Sequence, residues 1–147
     1  METITENQQL TMSKKLEKMF GHLDYKNPPE LCPVRDVMSV ASDQWSILIL
    51  LWLGYFPLLR FNKLKKYVYG ISNKVLSQRL KVLEADGYLE RKAYPEVPIR
   101  VEYNLTDFGK SYVQRLLELT EWMQQNSPKV LANREKYGII PSQSLGT

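Results

Sequence analysis

Apolar residues recur at helical spacing over most of this chain, and proline, glycine or a capping side chain stands at nearly every break in the pattern. In the first periodic stretch, Leu10 to Leu23, one face carries Met12, Leu16, Met19, Phe20 and Leu23. Thr11 or Ser13 is its expected N-cap, and residues 1–9 read as a disordered start. "YKNPPEL" then breaks the pattern, because adjacent prolines exclude a helix interior. Cys32-Pro33 opens the next helix, with Val34, Val37, Met38 and Ala41 as its inward face. Ser42 or Asp43 caps a third, which is apolar almost all round from Trp45 to Leu53 and so predicted to be buried. Gly54 and Pro57 are its expected end.

"LLRF" (58–61) predicts a short strand, and Asn62 a cap for a helix with Leu64, Tyr67 and Val68 inward and Lys63, Lys65 and Lys66 outward. Gly70 stops that helix, Ser72 caps the next over Asn73–Asp86, and Gly87 ends it. "YLERKAY" and "IRVEYNL" alternate as two strands joined through the stiff "PEVP" connection. Thr106 caps a long helix to about Asn126, whose apolar stripe, from Tyr112 to Met123, is wider than a single contact needs. Ser127-Pro128 predicts a separate short helix to about Tyr137, with Gly138 as its stop and a flexible tail beyond. Two short helices around a glycine-bearing turn, followed at once by a hairpin, make a winged helix-turn-helix: mainly α with a small β-hairpin.

Charge sharpens this picture. The net charge is only +4, but no acidic residue lies between Asp43 and Glu84, a span that carries Arg60, Lys63, Lys65, Lys66, Lys74, Arg79 and Lys81. Such one-sidedness is the footprint of a polyanion partner. In projection, Asn73, Lys74, Ser77, Gln78 and Lys81 share one face of the Asn73–Asp86 helix, with Leu76, Leu80 and Leu83 opposite and Arg79 further round. Asn and Gln bond adenine edges and Lys bonds guanine acceptors, while Ser72 and the first-turn amides suit a phosphate. Lys63, Lys65 and Lys66 are placed for the phosphate backbone, and Arg91, Lys92 and Arg100 on the hairpin for an adjacent groove. The expected partner is double-stranded DNA. The alternative is a winged helix that serves only as a protein–protein module, which an acidic or apolar recognition face would favour.

The segments "CPVRDVM…W", "ISNKVLSQRLKVLEADGYLERKAYPEVPIRVEYNLT" and "FGK" resemble the HxlR-type winged helix-turn-helix regulators of bacteria and archaea, close to the MarR group. The resemblance runs from about Cys32 to Gln125. It implies a cytoplasmic, homodimeric transcriptional regulator joined through its first and last helices, on a near-palindromic operator with recognition helices about 34 Å apart. It also places Ser72, Lys74, Gln78 and Arg79 in the recognition motif and Tyr94–Pro98 in the wing motif. The chain departs from the family at Asp43-Gln44-Trp45, where a Gly-Lys pair often precedes the tryptophan. The expected organisation is an arm, 1–24, that contacts the dimer partner; a winged domain, 25–126; and a short extra helix with tail, 127–147.

Cys32, the only cysteine, excludes an internal disulfide and fits a cytosolic protein. By resemblance it is a candidate sensor of oxidants or electrophiles; the plainer reading is a small buried side chain. A small-molecule effector is compatible with the family, and the sequence names none. His22 has no companions at metal-ligand spacing, so no metal is expected. No paired catalytic carboxylates, nucleophile–base pair or phosphate loop stands out, which points away from an enzyme and implies no cofactor. The run "WSILILLWLGYF" falls short of the roughly 20 apolar residues that span a bilayer, so no membrane partner is expected.

Overall fold

The computed structural model describes residues 3–20 and 31–139. They fall into two compact units, Met1–Ser39 and Val40–Thr147. In the first, helix α1 spans Glu6–Phe20, so the start expected to be disordered is partly helical. The cause is a capping box in Thr5-Glu6-Asn7-Gln8: the Gln8 N–H donates to Thr5 Oγ1 (3.3 Å) and the Thr5 N–H to Gln8 Oε1 (2.9 Å). Thr11, one of the expected caps, turns its hydroxyl back onto the Asn7 carbonyl instead (2.9 Å), and Ser13 lies inside the helix. No residue of α1 is buried, and Leu10, Leu16 and Met19 are exposed. His22, Leu23 and most of "YKNPPEL" lie outside the described residues.

Pro33 does open a helix, but Pro33–Met38 is π-helical and passes into the short α2, Ser39–Ala41. The Ser39 N–H reaches back five residues to the Val34 carbonyl. In that wider turn, positions i, i+3 and i+4 no longer share one face. Of the expected inward residues only Ala41 is buried; Val34, Val37 and Met38 are about half exposed.

The second unit holds the core. Helix α3 (Gln44–Tyr55) starts at Asp43, whose carboxylate accepts the Trp45 and Ser46 N–H groups and the Ser46 hydroxyl (2.6 Å). Ile49, Leu50 and Leu53 are buried, but Leu48 faces outward, so burial is not all round. Gly54 does not end α3. It lies inside the helix, where a Cβ would stand 2.9 Å from Val113 Cγ1, so its role is a close helix crossing. Strand β1 (Leu59–Arg60) leads directly into α4 (Phe61–Tyr67). The helix therefore begins before Asn62, which is not its cap; Arg60 holds that position without a side-chain bond.

Helix α5 (Asn73–Ala85) follows, then β2 (Leu89–Tyr94), β3 (Arg100–Leu105) and α6 (Asp107–Lys136). The sheet is antiparallel in the order β1-β3-β2, with Leu59 opposite Tyr103 and Arg91 opposite Tyr103 on the other side. The expected hairpin is thus the larger part of a three-stranded sheet. Helix α6 begins where Thr106 Oγ1 accepts the Gly109 N–H (3.0 Å). Its Tyr112 hydroxyl donates to the Ala41 carbonyl (3.2 Å) and shares a bond with the Ser42 hydroxyl (3.0 Å), tying α6 to the start of α3.

The separate helix expected from Ser127 does not exist: α6 runs unbroken through Pro128, so the expected boundary at 126/127 falls inside it. Proline removes one backbone donor; in the residues just before it the Asn126 amide donates to the Trp122 carbonyl (2.8 Å) and the Ser127 hydroxyl to that of Met123 (2.6 Å). The Ser-Pro pair that resembles a cap is here a serine bonding backward within one helix. Leu116 is buried on the core, whereas Leu117, Leu119, Trp122, Met123 and Leu131 are exposed. Among the described residues no single helix is long and apolar enough to cross a membrane.

Candidate nucleic-acid interface

Gly70, at φ +86°, provides the left-handed turn that ends α4 and lets the chain reverse into α5. Ser72 is extended and its Oγ accepts the Val75 N–H (3.1 Å), which satisfies one first-turn donor and leaves others pointing out of the helix end. At the far end the Gly87 N–H bonds the Glu84 carbonyl (3.0 Å) and the Tyr88 N–H that of Leu83 (3.0 Å), a Schellman closure that sends the chain straight into β2. Leu76, Leu80 and Leu83 are buried in the core. Asn73, Lys74, Ser77, Gln78 and Lys81 are all exposed on the opposite side, as the periodicity predicts. Lys63, Lys65 and Lys66 are exposed on α4, and Arg91 and Lys92 on β2.

Two cations expected at the interface are engaged within the protein. Arg79 is half-buried, with its Nε 3.3 Å from Asp43 Oδ1. The contact is an ion pair without an aligned hydrogen bond. It ties α5 to the N-terminus of α3 and draws Arg79 off the polar face. Arg100 pairs with Glu96 (3.3 Å) and Glu102 (3.4 Å), and its guanidinium lies 4.0 Å over the Tyr94 ring. Asp43 and Tyr94 are the partners that sequence reasoning missed as such. Asp43 is legible as a helix cap, but its pairing with Arg79 joins residues far apart in the chain.

Asp43→Ala removes the cap and strands the buried Ser46 hydroxyl, so it is expected to lower the unfolding free energy by about 2 kcal/mol. Arg79→Gln is expected to cost less than about 1 kcal/mol, because the pair is part-exposed. Urea unfolding separates the two; equal losses would mean that the cap is not what Asp43 contributes.

Between α5 and the sheet runs an open groove of about 500 Å³, lined by Phe61, Ser77, Lys81, Glu84, Arg91, Val101 and Tyr103. It gathers two of the expected cations, Lys81 and Arg91, with the aromatic Phe61 and Tyr103 and the acidic Glu84. In the N-terminal unit, Cys32 is partly exposed and its N–H donates to Asp36 Oδ2 (2.6 Å). The hydrogen bond from Arg35, then that from the Cys32 amide, holds the Asp36 carboxyl down at about 2. Among the described residues no group of His, Cys, Asp and Glu is arranged to hold a metal ion.

The model of the HxlR-like helix-turn-helix family matches residues 40–131. The chain is 41% identical over 107 residues to the HTH-type transcriptional regulator YtfH of Escherichia coli K12, covering 73% of this chain and 84% of that one. Among solved structures it is similar to ytfH from Salmonella typhimurium, described as a transcriptional regulator, with a TM-score of 0.67 and 41% identity over 73% of this chain and 95% of that one. It is also similar to the redox regulator HypR in its reduced form, with a TM-score of 0.61 and 32% identity over 68% and 98% of the two chains.

Proposed function

Since the chain belongs to the HxlR-like helix-turn-helix family and is a transcriptional regulator of helix-turn-helix type, we propose that it binds double-stranded DNA sequence-specifically, as a homodimer in the cytoplasm. The observation that carries this reading is the division of α5: leucines buried on one side, and Asn73, Lys74, Ser77, Gln78 and Lys81 exposed on the other, where the one acidic residue, Glu84, comes only in the last turn. That side fits a major groove, where side-chain amides and ammonium groups read base edges. Lys63, Lys65 and Lys66 act on phosphates and so position the protein without specifying sequence. Ser72 presents the α5 terminus to a phosphate, Arg91 and Lys92 flank it from the wing, and Arg79 positions the helix through Asp43.

The homodimer reading is supported by apolar surface that the single chain leaves uncovered: Leu117, Trp122 and Met123 on α6, and Leu16 and Met19 on α1. A two-fold pairing through these helices, with the 1–24 arm contributing, sets two recognition helices on successive turns of a near-palindromic site. Cys32 is the candidate switch. Each chain has one thiol, so its chemistry would be alkylation, a mixed disulfide or a bond between subunits. The likeness to HypR, a redox regulator, supports testing it. Unchanged operator affinity after complete modification by diamide or methylglyoxal would exclude Cys32.

The central test is binding to a duplex that the protein itself enriches from a random library. Log affinity is expected to fall linearly with log salt as phosphates are neutralised. Gln78→Ala or Lys74→Ala is expected to cost about 1–3 kcal/mol on that duplex and little on random DNA. Lys65→Ala is expected to weaken both alike and to reduce the salt slope by about one. Equal losses on both DNAs for all three variants would refute the division into readers and anchors. Absence of salt-dependent duplex binding would favour the protein–protein module.

A further inference from the structure

The wing tip runs against the basic pattern of its surroundings. Strand β2 leaves the C-terminal end of α5 and turns back beside it. The groove between them joins Glu84, Lys81 and Ser77 of the helix to Tyr103, Arg91 and Val101 of the sheet. In strand register the Arg91–Tyr103 pair comes before the Ala93–Val101 pair on the way to the tip. The tip, residues 95–99, therefore lies toward the N-terminal end of the recognition helix. It carries Pro95, Glu96, Val97, Pro98 and Ile99, and no cation. Val97 is fully exposed at 102% and Ile99 is 70% exposed.

Arg100 does not supply the missing charge. It is folded onto Tyr94 and paired with Glu96 and Glu102, so it offsets the tip's one carboxylate. The Glu96 N–H bonds the Tyr94 carbonyl (2.8 Å), and two prolines restrict the rest of the turn. The result is a stiff, apolar, locally neutral projection beside a polar, basic helix. Apolar side chains on such projections wedge between base steps in the minor groove and bend the duplex.

The geometry points to Val97, Pro98 and Ile99 as an apolar wedge that enters the minor groove next to the major groove occupied by α5, with Arg100 neutralising Glu96 rather than anchoring a phosphate. This rests on the DNA-binding reading above. A wedge of this kind selects easily unstacked pyrimidine–purine steps at positions where no base edge is read. Since it neutralises no phosphate, its contribution does not change with salt.

The experiment uses the full chain and the duplex enriched from a random library, with affinity measured across a salt series and bending by energy transfer between labelled DNA ends. V97S/I99S is expected to bind about tenfold more weakly with an unchanged salt slope, and to bend the duplex less. R100A is expected to weaken binding by leaving Glu96 and the buried Glu102 bare, and adding both E96Q and E102Q to R100A to restore it to within about twofold of the starting protein. Melting curves for each variant separate loss of fold from loss of contact. Unchanged affinity and bend in V97S/I99S would overturn the wedge. So would an R100A variant whose salt slope falls by about one and is not rescued by E96Q together with E102Q, since that marks a phosphate anchor. Normal bending with loss of regulation in cells would assign the tip to a protein partner and overturn it too. A starting protein that binds no duplex would overturn the DNA reading and the wedge together, whereas binding with an unchanged bend would overturn the wedge alone.

Discussion

Gly109→Ala is expected to destabilise the winged domain by about 3 kcal/mol or more, a large part of the 5–15 kcal/mol that holds a domain folded. A Cβ at Gly109 would overlap the carbonyl oxygen of Tyr88 and stand 2.9 Å from its carbonyl carbon, with Leu105 Cδ2 at 3.3 Å. Neither backbone can readily move aside. The Tyr88 carbonyl accepts the Thr106 N–H (3.1 Å) and lies 3.2 Å from the Thr106 hydroxyl, and the same hydroxyl accepts the Gly109 N–H. Separating Gly109 from Tyr88 would thus pull the cap of α6 away from the junction of α5 and β2. Thermal melting followed by circular dichroism checks this, with a fall of about 10 °C or more expected for a domain of this size. Gly54→Ala is the comparison. There the Cβ would meet Val113 Cγ1, the end of a side chain, so a loss of only about 1 kcal/mol is expected. If Gly109→Ala melts with the unchanged protein, α6 is not seated on Tyr88 as closely as described.

Leu76→Ala is expected to lower stability by about 3 kcal/mol, and Gln78→Ala, two residues along the same helix, by less than about 0.5 kcal/mol. Leu76 is wholly buried, so truncation both loses transfer free energy and leaves a cavity under α5. Gln78 is exposed and makes no contact that truncation would strand. On DNA the order reverses for the folded protein, since Gln78 is the proposed base reader and Leu76 only holds the helix in place. Chemical unfolding and duplex titration on the same two variants test both halves. A stable Leu76→Ala variant, or a destabilised Gln78→Ala variant, would mean that α5 is rotated relative to its described orientation.

The features readable from the chain alone are those governed by short-range rules. Ser72, Asp43 and Thr106 each cap the helix that follows because the bond they accept closes within two or three residues. The leucine and polar faces of α5 follow from a period that any helix imposes, and the hairpin from alternation around two prolines. The misreadings arose where two local rules compete or where burial changes the choice. Ser127-Pro128 fits a helix start as well as a helix interior, and in α6 the Asn126 and Ser127 side chains bond the preceding turn's carbonyls instead of capping a new helix. Gly54 has the composition of a stop but is required by the approach of Val113.

Other features depend on residues far apart in sequence. The pairing of β1 with β3, the Asp43–Arg79 tie and the seating of Gly109 on Tyr88 emerge only when the chain is closed. The fate of the charged side chains belongs with these. Nothing local distinguishes Lys74, which stays exposed, from Arg79, which is drawn onto the end of α3. Periodicity assigns a residue to a face, but a long cation at the edge of that face goes to whichever carboxylate the fold brings within reach. Which helix presents the polar side was therefore written in the order of residues, and which of its cations remain available was settled by packing.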